Sequence, residues 1–316
     1  MQQKFFLLGS SDNVSALANG LDVALRTAID VRCEPLLLDG NDSRAFREAL
    51  AAEDFLGLQL ATRHTTLCYP LCQDYSPAAL AAGVIDVLVR QSDGRLYGDF
   101  LLAGAIRELL KSEGIAQVRT GLILGAGYAA RAVVVALKEM GCARFVIGHL
   151  STRRQAELSQ QMRRMRKQIA FFPLQEMVDF MAWAETSEAF VSDQVPPTEF
   201  SGTERAADKG AKRWELLINT CTPGRDILSE ATPLASHNFM CAVNRVLDIT
   251  SDAQPSPLVS LARHMGIAGL TGERLSEMHR KHLLDLLFRL KRGEQLPSAM
   301  QMPSKRPYLL HRRKSG

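Results

Sequence analysis

The stretch Thr120–Arg131 reads Thr-Gly-Leu-Ile-Leu-Gly-Ala-Gly-Tyr-Ala-Ala-Arg and holds the residue types that grip a phosphate. The apolar run Leu122-Ile123-Leu124 stops at Gly125, Gly127 follows two residues later, and an Ala/Val-rich segment from Ala129 to Leu137 has the composition of a helix. A buried strand, a tight glycine turn and a helix N-terminus in that order bring backbone N–H groups and a helix dipole up to a pyrophosphate. The glycine pattern alone is weak evidence; the strand before it, the helix after it and a second strand at 144–147 supply its context. The competing account is a turn in which glycine only permits close packing. The end of that second strand, Val146-Ile147-Gly148-His149-Leu150-Ser151-Thr152-Arg153-Arg154, carries no acid for an NAD ribose hydroxyl. Ser151, Thr152, Arg153 and Arg154 instead offer hydroxyl and guanidinium groups for a 2′-phosphate, which favours NADP(H) over NAD(H). Against this stands a helix cap at Ser151 or Thr152 with exposed arginines.

These residues need a frame of alternating strands and helices. Phe5–Leu8 reads as a strand, Asn13–Thr27 as a helix, Cys33–Leu38 as a strand, Ser43–Ala52 as a helix and Gly57–Ala61 as a short strand. Val84–Arg90 and Leu96-Tyr97 flank an Asp93-Gly94 turn and predict a hairpin. Phe100–Ser112 reads as a helix leading to the glycine turn. Strand 121–124, helix 129–139, strand 144–148 and helix 152–166 make a βαβα set, and Leu216–Asn219 and Cys241–Leu247 continue its sheet. Residues 185–212, with Pro196, Pro197, Ser201 and Gly202, read as a long surface loop. Glu273–Arg292 keeps a helical apolar period through Leu275, Met278, His282, Leu283, Leu286, Leu287 and Leu290. The expected fold is α/β and two-domain. An N-terminal α/β substrate domain, 1–103, is completed by helices at about 270–295; a Rossmann-type dinucleotide-binding domain spans 104–269, and a basic tail spans 296–316.

At 316 residues the chain is long enough for two domains, and 46% apolar with 23% charged residues is the composition of a globular protein. No apolar run reaches membrane-spanning length, and the apolar part of Met1–Gly9 is too short for a signal peptide. The six cysteines, 33, 68, 72, 142, 221 and 241, form no CxxC pair, so zinc is not expected and reduced thiols in the cytoplasm are. The net charge of +4 gathers at Arg163, Arg164, Arg166 and Lys167 and in the tail from Lys305 to Lys314. Neither cluster has regular aromatic interleaving, so solvated surface is preferred to nucleic-acid binding. A small-molecule substrate is the expected partner, and a homodimer stays open.

The order of motifs resembles the shikimate and quinate dehydrogenase family over roughly Phe5 to Leu290. Gly125-Ala126-Gly127-Tyr128-Ala129-Ala130-Arg131 resembles that family's GAGGAARA turn, with Tyr128 at its third glycine. Asp93-Gly94-Arg95-Leu96-Tyr97-Gly98 resembles its DGRLxG hairpin. Ile218-Asn219-Thr220-Cys221-Thr222-Pro223-Gly224 resembles the INATxxG loop, which implies that Asn219, Thr220 and Cys221 lie beside the nicotinamide. Pro257-Leu258 followed by Gly266 and Gly272 resembles the stretch before the last helices, and the resemblance implies a cofactor role for Gly272. The substrate side departs from the family. Its GxNVTxPxK motif falls on Gly57–Thr65, where Gly57 is kept, Gln59 stands for Asn, Ala61 for Thr, Arg63 for Pro, and Thr65 for the catalytic Lys. In its GxNTD motif Phe100 stands for Asn and Leu102 for the catalytic Asp. Asp86 stands in the AVNT segment, Ser15 remains from the serine pair, and Met278 stands for the late substrate glutamine.

Reduction of a ketone by hydride needs a proton for the nascent alkoxide, which a Lys–Asp pair supplies. Thr65 and Leu102 cannot supply it. Four groups remain nearby in the sequence: His64, with acid–base chemistry near neutral pH; Arg63, able to hold a carboxylate bidentately; Asp99; and Asp86 on the neighbouring strand. A relocated His–Asp relay is one reading; a loop histidine with solvated or turn carboxylates is the blander and preferred one. Cys68, Tyr69 and Cys221 read as packing residues. The resemblance thus implies an NADP(H)-dependent oxidoreductase acting on a small cyclic hydroxy or keto acid, or an imine. The alternative is a catalytically inactive protein that senses a ligand or scaffolds a partner. With the Lys–Asp pair absent, shikimate oxidation by NADP should run at least about a hundredfold below that of an enzyme retaining it, and Thr65→Lys alone should not restore the rate. Robust shikimate oxidation by the unaltered protein would show that Gly57–Thr65 or Gly98–Leu102 is read out of register.

Overall fold

In the first hundred residues the alternating pattern becomes β1 (Lys4–Gly9), α1 (Asn13–Ile29), β2 (Arg32–Leu37), α2 (Arg44–Ala51) and β3 (Phe55–Leu60). There follow α3 (Thr65–Cys68), β4 (Asp74–Tyr75), α4 (Pro77–Ala82), β5 (Val87–Arg90), β6 (Leu96–Asp99) and α5 (Leu101–Ser112). The computed structural model describes residues 2–9, 13–37, 44–60, 64–149, 151–162, 168–173, 214–221, 243–250 and 254–301. The chain divides into two units: residues up to Gly104 with those from His279 onward, and Ala105–Met278.

In the first unit, Val14, Ala18, Leu21, Leu25 and Ile29 fall on one side of α1 and are buried with Phe5 and Leu7 of β1. The helix ends at Asp30, whose φ of +52° is the left-handed conformation that closes many helices. β1 lies between β2 and β3, parallel to both. β5 runs antiparallel to β3 and to β6, with Asp93-Gly94 as the hairpin turn and Gly94 at φ +83°. The late helix, α9 (Leu275–Lys291), sends Leu283, Leu286 and Leu287 into the same core. Met300–Gln301, inside the segment read from sequence as a tail, forms β13, which pairs with β4 at the sheet edge, giving the order β13-β4-β6-β5-β3-β1-β2.

The second unit holds β7 (Thr120–Leu124), α6 (Tyr128–Glu139), β8 (Arg144–His149), α7 (Thr152–Gln161), β9 (Ile169–Pro173), β10 (Leu216–Asn219), β11 (Arg245–Asp248), α8 (Pro257–His264) and β12 (Ala268–Thr271). All pairings in its sheet are parallel. Strands buried on both faces read as continuous apolar runs, as Leu122-Ile123-Leu124 and Leu216-Leu217-Ile218 do. The spatial order β9-β8-β7-β10-β11-β12 is the 3-2-1-4-5-6 order of a doubly wound dinucleotide-binding sheet. The helix expected over 152–166 ends at Gln161, and Arg163, Arg164, Arg166, Lys167, the loop 185–212 and the tail from Lys305 lie outside the described residues.

Cys33, Cys68, Cys72, Cys142 and Cys221 are buried and form no disulfide among the described residues. Burial pushes the thiols of Cys33, Cys68 and Cys142 up to about 12, and raises that of Cys72 as well. No helix among the described residues is long and apolar enough to cross a membrane. They hold no cluster of His, Cys, Asp and Glu able to bind a metal ion.

Gly57, the one residue kept from the substrate motif, has a packing reason to be glycine. A Cβ there would stand 2.6 Å from the Leu88 carbonyl oxygen and 2.8 Å from Val89. Gly57→Ala should destabilise the protein by roughly 1–3 kcal/mol, read as a lower midpoint in urea at unchanged slope.

Candidate functional site

Each unit carries one candidate site. In the second unit it lies at the carboxyl end of the parallel sheet, where the strand order reverses between β7 and β10. Gly125 ends β7 with φ +100°, and its N–H donates to the Gly148 carbonyl at 2.8 Å. A Cβ on Gly125 would lie 2.6 Å from the Thr220 hydroxyl and 3.1 Å from the Cys221 sulfur. Thr220 is fixed in turn, its N–H and hydroxyl both donating to the Leu124 carbonyl at 2.9 and 2.6 Å. The Cys221 N–H donates to the Asn219 side chain at 3.1 Å. The two strand ends of the switch point therefore meet directly at Gly125.

Gly127 is different. It caps α6 in an extended conformation, and a Cβ there would meet nothing within 4 Å among the described residues. The first-turn N–H groups of α6 face the start of the helix, where an α-helix supplies no acceptor of its own. Ala126 and Ala130 are buried beneath the turn. Donor type, dipole and open space fit the pyrophosphate of a dinucleotide. On the neighbouring strand end, Ser151 is the α7 cap, its hydroxyl oxygen accepting from the Arg154 N–H at 3.4 Å. Thr152 begins that helix, and Arg153 pairs with Glu157 one turn on, its side chain 88% exposed. The cap and the exposed arginine are what the competing account of this segment expects; both arginines remain at the end of β8. Gly272 owes its missing side chain to packing: a Cβ would stand 2.5 Å from the Ile249 carbonyl oxygen.

The first unit's site lies where β3 and β6 end and β5 begins. Gln59, Val87 and Asp99 sit in one row across these strands. Asp86, immediately before β5, is stitched in on both sides: its N–H donates to the Asp99 carbonyl at 2.9 Å and its carbonyl accepts from Leu60 N–H at 2.8 Å. Its carboxylate takes three hydrogen bonds, from the N–H groups of Leu101 and Leu102 at 2.7 and 2.8 Å and from Nε2 of His279 at 3.1 Å. A carboxylate from a neighbouring strand thus satisfies the start of α5, where the dipole favours negative charge. His279, on α9, is the residue that sequence reasoning misses. It lies one position beyond Met278, which is buried and apolar.

Asp99 is half-buried, with the Phe100 N–H donating to it at 2.7 Å. Burial, with the nearby Asp86 charge, pushes its carboxyl up to about 6 against the opposing pull of the Ser76 hydroxyl, the Phe100 N–H and the Arg289 cation. His64 is half-buried and Thr65 buried at the start of α3, just after β3; Ser15 is half-buried in the first turn of α1. Arg63 lies outside the described residues. The structure therefore joins Asp86 to a histidine, and that histidine is His279.

Asp99 gives a pH-dependent prediction. Its folded value of about 6 lies above the ordinary 3.8, so between these pH values the folded state binds more protons and loses stability as pH rises. Asp99→Asn keeps an acceptor for the Phe100 N–H and removes the titration. The stability of the variant relative to wild type should improve by on the order of 1–3 kcal/mol from pH 4 to pH 7 in urea melts. A difference that stays flat over that range would refute the raised value.

No protein-family model matches the chain. Among solved structures it is similar to shikimate 5-dehydrogenase from Listeria monocytogenes, in complex with shikimate and NAD. The TM-score is 0.70 and the identity 14%, over 94% of this chain and 93% of that one. A shikimate 5-dehydrogenase from Mycobacterium fortuitum matches with TM-score 0.64 and 19% identity over 94% of each chain. A shikimate 5-dehydrogenase-like protein matches with TM-score 0.64 and 14% identity over 92% of this chain and 96% of that one. The chain has the two-domain α/β fold of the shikimate dehydrogenases, with a Rossmann-type unit as its second part.

Proposed function

We propose that the protein is a nicotinamide-dinucleotide-dependent oxidoreductase, with NADP(H) preferred, that acts on a small cyclic hydroxy or keto acid or an imine without a Lys–Asp pair. The observation that carries the reading is the open helix start at Gly127, set at the switch point of a 3-2-1-4-5-6 sheet. Gly127 and the N–H groups of Tyr128, Ala129 and Ala130 would hold the pyrophosphate, and Asn219, Thr220 and Cys221 border the same turn. The bound dinucleotide supplies or accepts a hydride. Arg153 and Arg154, with the Ser151 and Thr152 hydroxyls, would hold a 2′-phosphate, Arg153 exchanging its exposed contact with Glu157 for it. NAD in the Listeria structure supports dinucleotide use on this fold. On the substrate side, the buried Thr65 and the apolar Leu102 leave the Lys–Asp positions without an ionisable group. Cytoplasmic placement follows from the reduced thiols expected of the sequence.

Because no described residue comes within 4 Å of the Cβ position of Gly127, Gly127→Val should fold normally yet lose dinucleotide binding, as measured by calorimetry beside a thermal melt. Arg153→Ala with Arg154→Ala should weaken NADP(H) more than NAD(H), by on the order of 1.5–3 kcal/mol for each lost contact. Equal loss for both cofactors would sink the 2′-phosphate assignment. If the wild type binds neither nucleotide, the oxidoreductase reading fails; if it binds one and turns nothing over, ligand sensing takes its place.

A further inference from the structure

We infer that His279 is the group that takes up and returns the substrate proton, with Asp86 as its positioning residue; this rests on the oxidoreductase reading above. The Asp86 carboxylate is 3% exposed and fixed by the two N–H groups at the start of α5, so it meets His279 only as an acceptor. The hydrogen at their 3.1 Å contact therefore belongs to Nε2 of the imidazole. That leaves the lone pair on Nδ1. Nδ1 has no hydrogen-bond partner among the described residues, and the His279 side chain keeps 15% of its surface exposed. A buried carboxylate that sets the tautomer of a histidine, whose other nitrogen is left for substrate, is an arrangement suited to moving a proton.

The placement agrees with the chemistry. Asp86 lies at the strand ends that also carry Gln59 and Asp99, and His279 of α9 meets it there, within one unit. A carboxylate serving only as a helix cap is already occupied by Leu101 and Leu102; the histidine is a third partner that capping does not require. The proton role, which Thr65 and Leu102 cannot fill, is one that His279 can. In the oxidative direction the O–H proton of a secondary alcohol passes to Nδ1. The carbon–oxygen double bond would form as the C–H electron pair leaves as hydride, which an oxidised nicotinamide, its dinucleotide held at Gly127 and the first turn of α6, would accept. Asp86 offsets the positive charge on the imidazole, which then releases the proton to water. Reduction reverses each transfer. Among the charged groups near the pair, Asp99 feels the Asp86 charge, and Arg289 acts on Asp99.

The test compares the full chain with its His279→Gln variant, since Gln keeps an N–H donor for Asp86 and cannot take a proton. NADP+ binding is measured by calorimetry. Turnover is measured with NADP+ and a panel of cyclic secondary alcohols bearing a carboxylate, shikimate and quinate among them. The variant should bind NADP+ within about twofold of wild type and lose at least about a hundredfold in turnover, together with the acid limb of the pH profile. Nitrogen-15 NMR of the wild-type imidazole, which needs neither substrate nor variant, should show hydrogen on Nε2 and a bare Nδ1 in the neutral ring. The inference is overturned by unchanged turnover in the variant, by the opposite tautomer, or by a wild type that binds NADP+ and oxidises none of the panel. Absence of NADP+ binding would instead remove the oxidoreductase reading and this inference with it.

Discussion

A carboxylate withdrawn from water must be met by donors, and the first unit is organised around meeting one. Asp86 accepts from two backbone N–H groups of α5 and from a ring nitrogen of α9, while its own backbone is tied to the ends of β3 and β6. Removing any partner would leave a buried charge undercompensated, which costs far more than an exposed pair gains. Its hydrogen bonds tie the start of α5, the entry of β5 and the early part of α9 to one carboxylate.

In the second unit the corresponding constraint is steric. Glycines that look alike in the sequence serve different purposes. Gly125 combines a left-handed backbone with a close approach to Thr220 and Cys221, so it is needed by the fold. Gly127 has neither constraint among the described residues. Gly272 makes room for the Ile249 backbone, and Gly57 for the Leu88 carbonyl.

Much of this is legible in the sequence because burial imposes period. The spacing of α1 and the continuous apolar runs of β7 and β10 can each be read within a residue or two of their bounds, and the Asp93-Gly94 turn in its place, although the strand read from Val84 begins at Val87. The five-residue β9 and the two-residue β4 and β13 cannot, since so few residues show no period. The glycine turn is legible as a turn, but the purpose of each glycine depends on neighbours far along the chain. The Asp86–His279 pair is harder still, being 193 residues apart and joined only by tertiary structure. Motif comparison reaches Met278 and stops one residue short. Along a helix one residue turns the side chain by about 100°, enough to exchange a core methionine for the histidine on the carboxylate. The capping role of Asp86 is equally hidden, because helix caps are sought just before the helix and this one comes from another strand.

The buried thiols have an operational consequence. The thiolate is the reactive form, and Cys33, Cys68 and Cys142 are held almost wholly protonated at neutral pH as well as shielded from reagents. Two of them lie in the first unit and one in the second. Alkylation at these positions must wait for the surrounding structure to open. Their labelling rates then act as native clocks, one set in each unit, that time local opening without any engineered probe.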